Sequence, residues 1–344
     1  MPKPKHIFVI RLSAMGDVAM TVPVLKIFKA TYPEVKITVL SKKFLKPLFN
    51  DIEGIEFMEA DVKRQHKGIF GLLKLANEAR SLGIDAVADL HNVIRSKVIA
   101  KSLSVKGVQV ATIDKGRSEK KKLTQAKGMG IVKLKSTHQR YADVFETLGY
   151  PLDLSKVVFK SRSPLNKRLL TIIGDEPKKC IGIAPFAAYH SKMYPLNLMQ
   201  QVLTELDATQ EYRILLFGGG KKEEEVLNEM AQPLESVTNV AGTLTFEEEL
   251  DLISNLDLMV SMDSGNGHLA AMYGIPVITL WGVTHPYAGF TPFGQPEENQ
   301  LLADRIQYPL IPTSVYGNKY PDGYEKAMET IEPVVVIQKI KDTL

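Results

Sequence analysis

The chain has 344 residues, long for one hydrophobic core and comfortable for two domains; 44% are hydrophobic and 24% charged, the balance of an ordinary soluble globular protein. One cysteine, Cys180, excludes an intramolecular disulfide framework and fits a reducing compartment. No apolar run nears the roughly 18 residues of a membrane span, Arg11 and Asp17 interrupt the first apolar stretch too early for a signal peptide, and the net charge is only +4, so a cytoplasmic protein is expected.

In chain order, "HIFVIRL" reads as a strand and residues 20–31 as a helix. Between them "RLSAMGDVAMTVPVL" offers small residues, Gly16 and a single carboxylate, Asp17, which packing alone does not ask for. "VKITVLS" is a second strand, residues 70–82 a helix and "IDAVADL" a third strand. The "DLHNVIRSK" that follows sets Asp89, His91, Asn92, Arg95 and Lys97 at the strand end, with Arg95 a candidate grip on an anionic acceptor. From Lys115 to Arg140 nine Lys or Arg face one acid, Glu119. That run suits either a solvated, mobile loop or a contact with a phosphorylated substrate, a membrane surface or nucleic acid. With little aromatic interleaving to stack bases, nucleic acid is the weakest of these. Residues 138–149 form a helix with Tyr141, Val144, Phe145 and Leu148 on one face; its start, "THQRYADVF", carries His138 and Arg140, either of which also suits a plain surface charge.

The polar, proline-punctuated stretch around residues 161–177 reads as a linker, after which the alternation restarts. "CIGIAPF", "YRILLFGGG", "VTNVAG", "DLMVSMDSG" and "PVITLWG" are strands, separated by helices at residues 195–208, 222–232, 246–255 and 266–273. Strand–helix alternation implies parallel sheets covered by helices on both faces. The expected fold is therefore α/β, with two Rossmann-like domains, residues 1–160 and 178–329, facing a cleft. Ligands of such sheets bind beyond the carboxyl ends of the strands.

The strongest chemical signal is "DSGNGHLAAMYGIPVITLWG", which starts at Asp263. A buried strand ends and a helix begins at once, so free backbone N–H groups face the mouth of the sheet and suit a phosphate or diphosphate. Ser264 can donate to an oxygen, Gly265 and Gly267 admit a ligand to the backbone, and His268 falls in the first helical turn. The bland alternative is an N-cap by Asp263 or Ser264. "GNGHLA" also fits a dinucleotide fingerprint, but no acid stands between His268 and Pro296 to hold a ribose, so a nicotinamide site is disfavoured. Lys192, in the loop after "CIGIAPF", can neutralise charge on a departing phosphate. In "FGGGKKEEEV", Glu223 can hold a ribose or base, although an acidic first turn is also normal helix design. There is no Asp-x-Asp, no metal-ligand spacing among the seven histidines and no G-x-S-x-G, which argues against a metal site or a nucleophilic hydrolase.

"RLSAMGDVAMTVP" together with "DSGNGHLAA…WGVTHP" resembles glycosyltransferase family 9, the ADP-heptose:lipopolysaccharide heptosyltransferases, over nearly the whole chain. The resemblance implies a GT-B fold and inverting sugar transfer with neither metal nor cofactor. It implies a nucleotide-sugar donor held mainly by the second domain and an anionic, lipid-linked acceptor of lipopolysaccharide core. It gives Asp17 the role of general base and Lys192 that of the cation on the donor diphosphate. Ser13, Gly16, Glu223, Asp263, Ser264, Gly265, Gly267 and His268 become donor residues, and Arg95, His138 and Arg140 acceptor residues. Residues 330–344 are expected to form a helix packing back on the first domain, and the basic 115–140 segment gains a use at the inner-membrane surface. Two departures stand out: Ala14 replaces the second of two small hydroxyl residues, and Phe186, Ala187 and Ala188 replace paired threonines. The alternatives are a sugar-nucleotide hydrolase or epimerase on the same fold, or a non-catalytic sugar-nucleotide binder.

Overall fold

The computed structural model describes residues 3–126, 130–157, 159, 162–174 and 176–344. Lys127 of the basic segment, and Ser161 and Asp175 of the expected linker, lie outside them. The chain divides into two compact units, residues 1–117 with 135–158, and residues 118–134 with 159–344.

The first unit is built from β1 (His6–Ile10), α1 (Met15–Ala19), α2 (Thr21–Thr31), β2 (Lys36–Ser41), β3 (Ile55–Glu59), α3 (Gly68–Ser81), β4 (Ala86–Asp89), α4 (Ile94–Ser104) and β5 (Gln109–Thr112). A basic helix, α5 (Arg117–Gln125), leads out of it, and α6 (Thr137–Thr147) returns to it. The five strands run parallel in the order β3-β2-β1-β4-β5. All five residues of β1 are buried, as a central strand covered on both faces requires. Ile10 pairs with Leu40 on one side and Asp89 on the other, so the carboxyl ends of β1, β2 and β4 line up on one edge. The start of α6 is fixed by Ser136, whose hydroxyl accepts from the Gln139 N–H at 3.1 Å.

The second unit holds α7 (Lys167–Ile173), β6 (Lys179–Ala184), α8 (Leu196–Thr209), β7 (Tyr212–Leu216), α9 (Lys221–Ala231), β8 (Val237–Asn239), α10 (Phe246–Ser254), β9 (Leu258–Met262), α11 (Gly265–Ala271), β10 (Val277–Trp281), β11 (Gln300–Leu302) and α12 (Pro333–Thr343). Its six parallel strands follow the order β11-β10-β9-β6-β7-β8. At α10 the Thr245 hydroxyl accepts from the Glu248 N–H and the Glu248 carboxylate accepts from the Thr245 N–H, a reciprocal cap. Cys180, buried in β6, has its thiol pushed up to about 12 by burial and by Asp257, so it stays a protonated core residue.

Three expectations are corrected here. The stretch read as a linker carries α7, capped by Asn166 and anchored by buried Leu169. α12 belongs to the second unit, not the first as expected: Val336 and Ile340 enter the core under β6 and β7, and the helix packs on α8. The described residues of the basic 115–140 segment are not all a solvated loop. Lys120 is buried with its Nζ 4.0 Å from the centre of the Phe290 ring, Leu123 is buried, and the Leu134 N–H donates to the Tyr287 carbonyl at 2.9 Å.

Candidate functional site

Each unit gathers polar side chains at the carboxyl ends of its strands. In the first unit the chain leaves β1 through Arg11, whose guanidinium is buried. Its Nη1 donates to the Leu90 carbonyl at 2.7 Å, and its Nη2 pairs with Asp17 Oδ2 at 2.5 Å. The Ala14 N–H donates to the same Oδ2 at 3.2 Å, and the Tyr141 hydroxyl donates to the Asp17 backbone carbonyl at 3.2 Å. Both donors to the carboxylate thus converge on Oδ2. Oδ1 receives no hydrogen bond from a described residue, and the side chain is 31% exposed. The result is a carboxylate locked in orientation with one oxygen open. Burial works against the Arg11 charge, yet Tyr141 and Asp17 hold its pKa above the ordinary arginine value.

Three residues without an assigned role in the sequence, Arg11, Lys115 and His91, contribute to this end of the sheet. Asp89, fully buried at the end of β4, accepts from the N–H groups of His91 and Asn92 at 2.9 Å and from the Ser96 hydroxyl at 3.0 Å, which fixes the turn. His91 Nδ1 in turn accepts the Leu12 N–H at 3.4 Å. Burial, then Arg11 and Lys115, push His91 down to about 3, so its ring stays neutral, with the proton on Nε2. Lys115 is lowered by burial and by Arg11 and Arg117. Arg11 and Lys115 thus stand close to Asp17 at the mouth of this sheet.

The expected acceptor residues separate. Arg95 is exposed on the first turn of α4, where it lines with Lys63 and Lys67 a cavity of about 570 Å³. His138 is buried in α6. Arg140 is buried too: its Nη1 donates to the Asp114 carbonyl at 3.3 Å, and its guanidinium lies under Gly116, where a Cβ would sit 2.3 Å from Nη2. Arg140 braces that turn, where the sequence reading expected an exposed acceptor contact. Ser13 and Gly16 lie half-buried beside Asp17, in the first unit.

In the second unit the loop after β6 makes a short 3₁₀ turn, residues 190–192, that delivers Lys192 to the end of β9. Lys192 Nζ stands 2.9 Å from Asp263 Oδ2, and the Thr284 hydroxyl donates to the same oxygen at 2.9 Å. Both members of the ion pair are buried. The Ser191 hydroxyl donates to the Gly317 carbonyl at 2.5 Å, and the Val283 N–H donates to the Ser191 carbonyl at 3.3 Å. The stem of Lys192 lies against Gly317, at φ +81°, where an added Cβ would fall 2.6 Å from Cγ and Cδ. Gly317→Ala is accordingly expected to cost about 1–3 kcal/mol in urea denaturation, from backbone strain and displacement of the lysine stem. Unchanged stability would mean that this loop yields without loss.

Ser264 settles the choice between cap and ligand contact in favour of neither oxygen capping α11. Asp263 is engaged by Lys192 and Thr284, and Ser264 makes no side-chain cap. Its hydroxyl is buried without a hydrogen-bond partner among the described residues. Such an orphan is costly unless something else bonds to it. Gly265 opens α11 half-exposed, and His268 is buried within the helix. Gly267 has a packing reason: a Cβ there would meet Ser261 Oγ at 2.5 Å, so the glycine lets α11 close on β9, a requirement the sequence reading of ligand access did not consider. Glu223 is half-buried, and its Oε2 accepts the Gly219 N–H at 2.8 Å, which ties the glycine turn at the end of β7. Thr284 was quoted in the sequence without a role; its hydroxyl on Asp263 gives it one.

The family model described as "Glycosyltransferase family 9 (heptosyltransferase)" matches residues 72–311. Over 178 residues, half of the chain and 49% of the relative, the sequence is 31% identical to lipooligosaccharide heptosyltransferase 2 of Haemophilus influenzae. Over 332 residues, 95% of each chain, it is 24% identical to lipooligosaccharide heptosyltransferase 2 of Campylobacter jejuni. The crystal structure of a family 9 glycosyltransferase from Veillonella parvula superposes with a TM-score of 0.76 at 19% identity, covering 98% of this chain and 97% of that one. The paired parallel-sheet units are those of the GT-B fold.

Proposed function

The chain belongs to glycosyltransferase family 9, and from that premise we propose that it is an inverting, metal-independent heptosyltransferase that moves heptose from ADP-heptose onto an anionic, lipid-linked saccharide of lipopolysaccharide core. Asp17 Oδ1 takes the proton of the acceptor hydroxyl as that oxygen attacks the anomeric carbon. The new C–O bond forms on the face opposite the departing diphosphate, whose oxygen keeps the electron pair of the broken bond. Lys192 and the Ser264 hydroxyl meet the charge that collects there. The observation that carries this reading is the Asp17 carboxylate, held on one oxygen by Arg11 and Ala14 and open on the other.

Two further features support it. Arg11, Lys115 and exposed Arg95 make the surroundings of Asp17 cationic, which suits an anionic acceptor. The buried cation Lys192, at the end of β9, suits the charge of a departing diphosphate. No helix among the described residues is long and apolar enough to cross a bilayer.

The test is a transfer assay with ADP-heptose and lipopolysaccharide stripped of its heptoses, following ADP release and product. Heptosylated acceptor of inverted anomeric configuration, formed at a rate that EDTA leaves unchanged, is the expected result. Donor consumed without acceptor product would make the protein a hydrolase, and loss of activity in EDTA would refute metal independence.

A further inference from the structure

α3 buries Leu72, Leu75, Ala76 and Ala79, the spacing a helix lying on a sheet requires. That spacing leaves Ile69, Phe70 and Leu73 with no packing role, and Phe70 is 85% exposed. The neighbouring helix α4 repeats the pattern, with Ser96, Ile99, Ala100 and Leu103 inward and Ile94 82% exposed. The two helices pack together, and Ile69 and Ile94 line the same cavity over a floor of Val62, Leu72 and Val98. Around these apolar side chains stand the exposed cations Lys63, Arg64, Lys67, Lys74, Arg95 and Lys97, and no acid occurs from Val62 to Asn77. Glu78, paired with Lys74 and His66, stands on one side. An apolar wedge bordered otherwise by cations matches the interface of an anionic bilayer: the rings and branched chains enter the acyl boundary while the ammonium groups meet headgroup phosphates.

We propose that the first turns of α3 and α4, with the loop before α3, form the surface by which this protein docks on an anionic lipid bilayer. The inference deepens the reading of a lipid-linked acceptor and rests on it. It also moves the membrane contact away from the basic 115–140 segment, where Lys120 lies on Phe290 and Arg140 on Asp114.

The experiment is co-sedimentation of the full chain with phosphatidylglycerol-containing vesicles and with pure phosphatidylcholine vesicles. Wild type is expected to bind the anionic vesicles, to release them as salt is raised, and to bind the neutral ones at least about tenfold more weakly. Phe70→Ser and Ile94→Ser each lower partitioning by about tenfold, and Lys63→Ala and Lys67→Ala each by about fivefold. Lys121→Ala with Lys122→Ala on α5 changes it less than about twofold. The proposal is overturned if Phe70→Ser sediments like wild type, if neutral vesicles bind equally, or if the α5 variant is the one that loses binding. Transfer onto a delipidated, water-soluble acceptor separates the two readings. Wild-type transfer by Phe70→Ser with lost vesicle binding supports docking, and an equal loss of both makes the side chain part of the acceptor site and overturns it. Vesicle binding intact in a protein that transfers nothing would sink the enzymatic reading alone.

Discussion

Asp17→Asn is expected to slow transfer by about 10²–10⁴ while nucleotide affinity stays at the wild-type value, because positioned general bases contribute about that factor. The substitution removes the base and keeps the shape. It also takes from Arg11 its carboxylate partner at 2.5 Å, and that guanidinium is buried. Part of any loss of activity can therefore come from a loosened loop, which a thermal melt of the variant detects. Asp17→Glu is the companion. It keeps the ion pair but moves the carboxylate by one methylene, and displacement of a reacting group by about 1 Å costs on the order of 10² in rate. Slow transfer by both variants, with stability and nucleotide binding retained, identifies Asp17 as the base. If nucleotide affinity falls in step with rate, the carboxylate belongs to the donor site and the assigned role is wrong.

Lys192→Ala carries the second large effect. Loss of one charge-stabilising donor at a transition state typically costs about 10²–10³ in turnover. Nucleotide diphosphate binding should weaken by at least about tenfold, the value of a hydrogen bond to a charged group. The structure adds a complication that can be measured. Lys192 and Asp263 are 2.9 Å apart with side chains only 11% and 10% exposed, so removal of the lysine strands a buried carboxylate, at about 3–5 kcal/mol. Lys192→Met combined with Asp263→Asn relieves that charge. The double variant should recover most of the stability and none of the turnover. Turnover that returns with stability would show that the lysine only holds the fold together.

The sequence was legible where one physical requirement dominated. β1, β9 and β10 are buried on both faces, and predominantly apolar runs announced them. The amphipathic helices α3, α6, α8, α9 and α10 declared themselves through a 3.6-residue period, to within two residues at their ends. Missed elements include β3, which alternates weakly at the sheet edge, β5 and β11, with only four and three residues, and the helices α4, α5 and α7, of eleven, nine and seven residues. The five-residue α1 is too brief for any period to show. At the site, Asp17, Lys192 and Asp263 stood out as charges placed at the ends of apolar strands. Arg11 did not, because a lone basic residue after a strand gives no sign of being buried. Arg140 and Gly267 misled for the opposite reason. Arginine near other cations suggests a ligand grip, and glycine after Asp-Ser suggests backbone access, while the structure uses the first to brace a turn and the second to seat a helix.

The chain passes from the first unit into the second after residue 117, returns after 134, and leaves again after 158. The two halves are therefore stitched together by three covalent threads, and no single cut parts them. Anyone exchanging the second unit for that of another transferase must transplant two sequence blocks as one, residues 118–134 and 159–344. The smaller block brings Lys120 and Leu134, and the larger brings the Phe290 and Tyr287 that receive them. A chimera joined at one seam near residue 160 inherits a basic helix whose seat has been replaced. Modularity in this protein runs along a contour that a linear domain boundary does not follow.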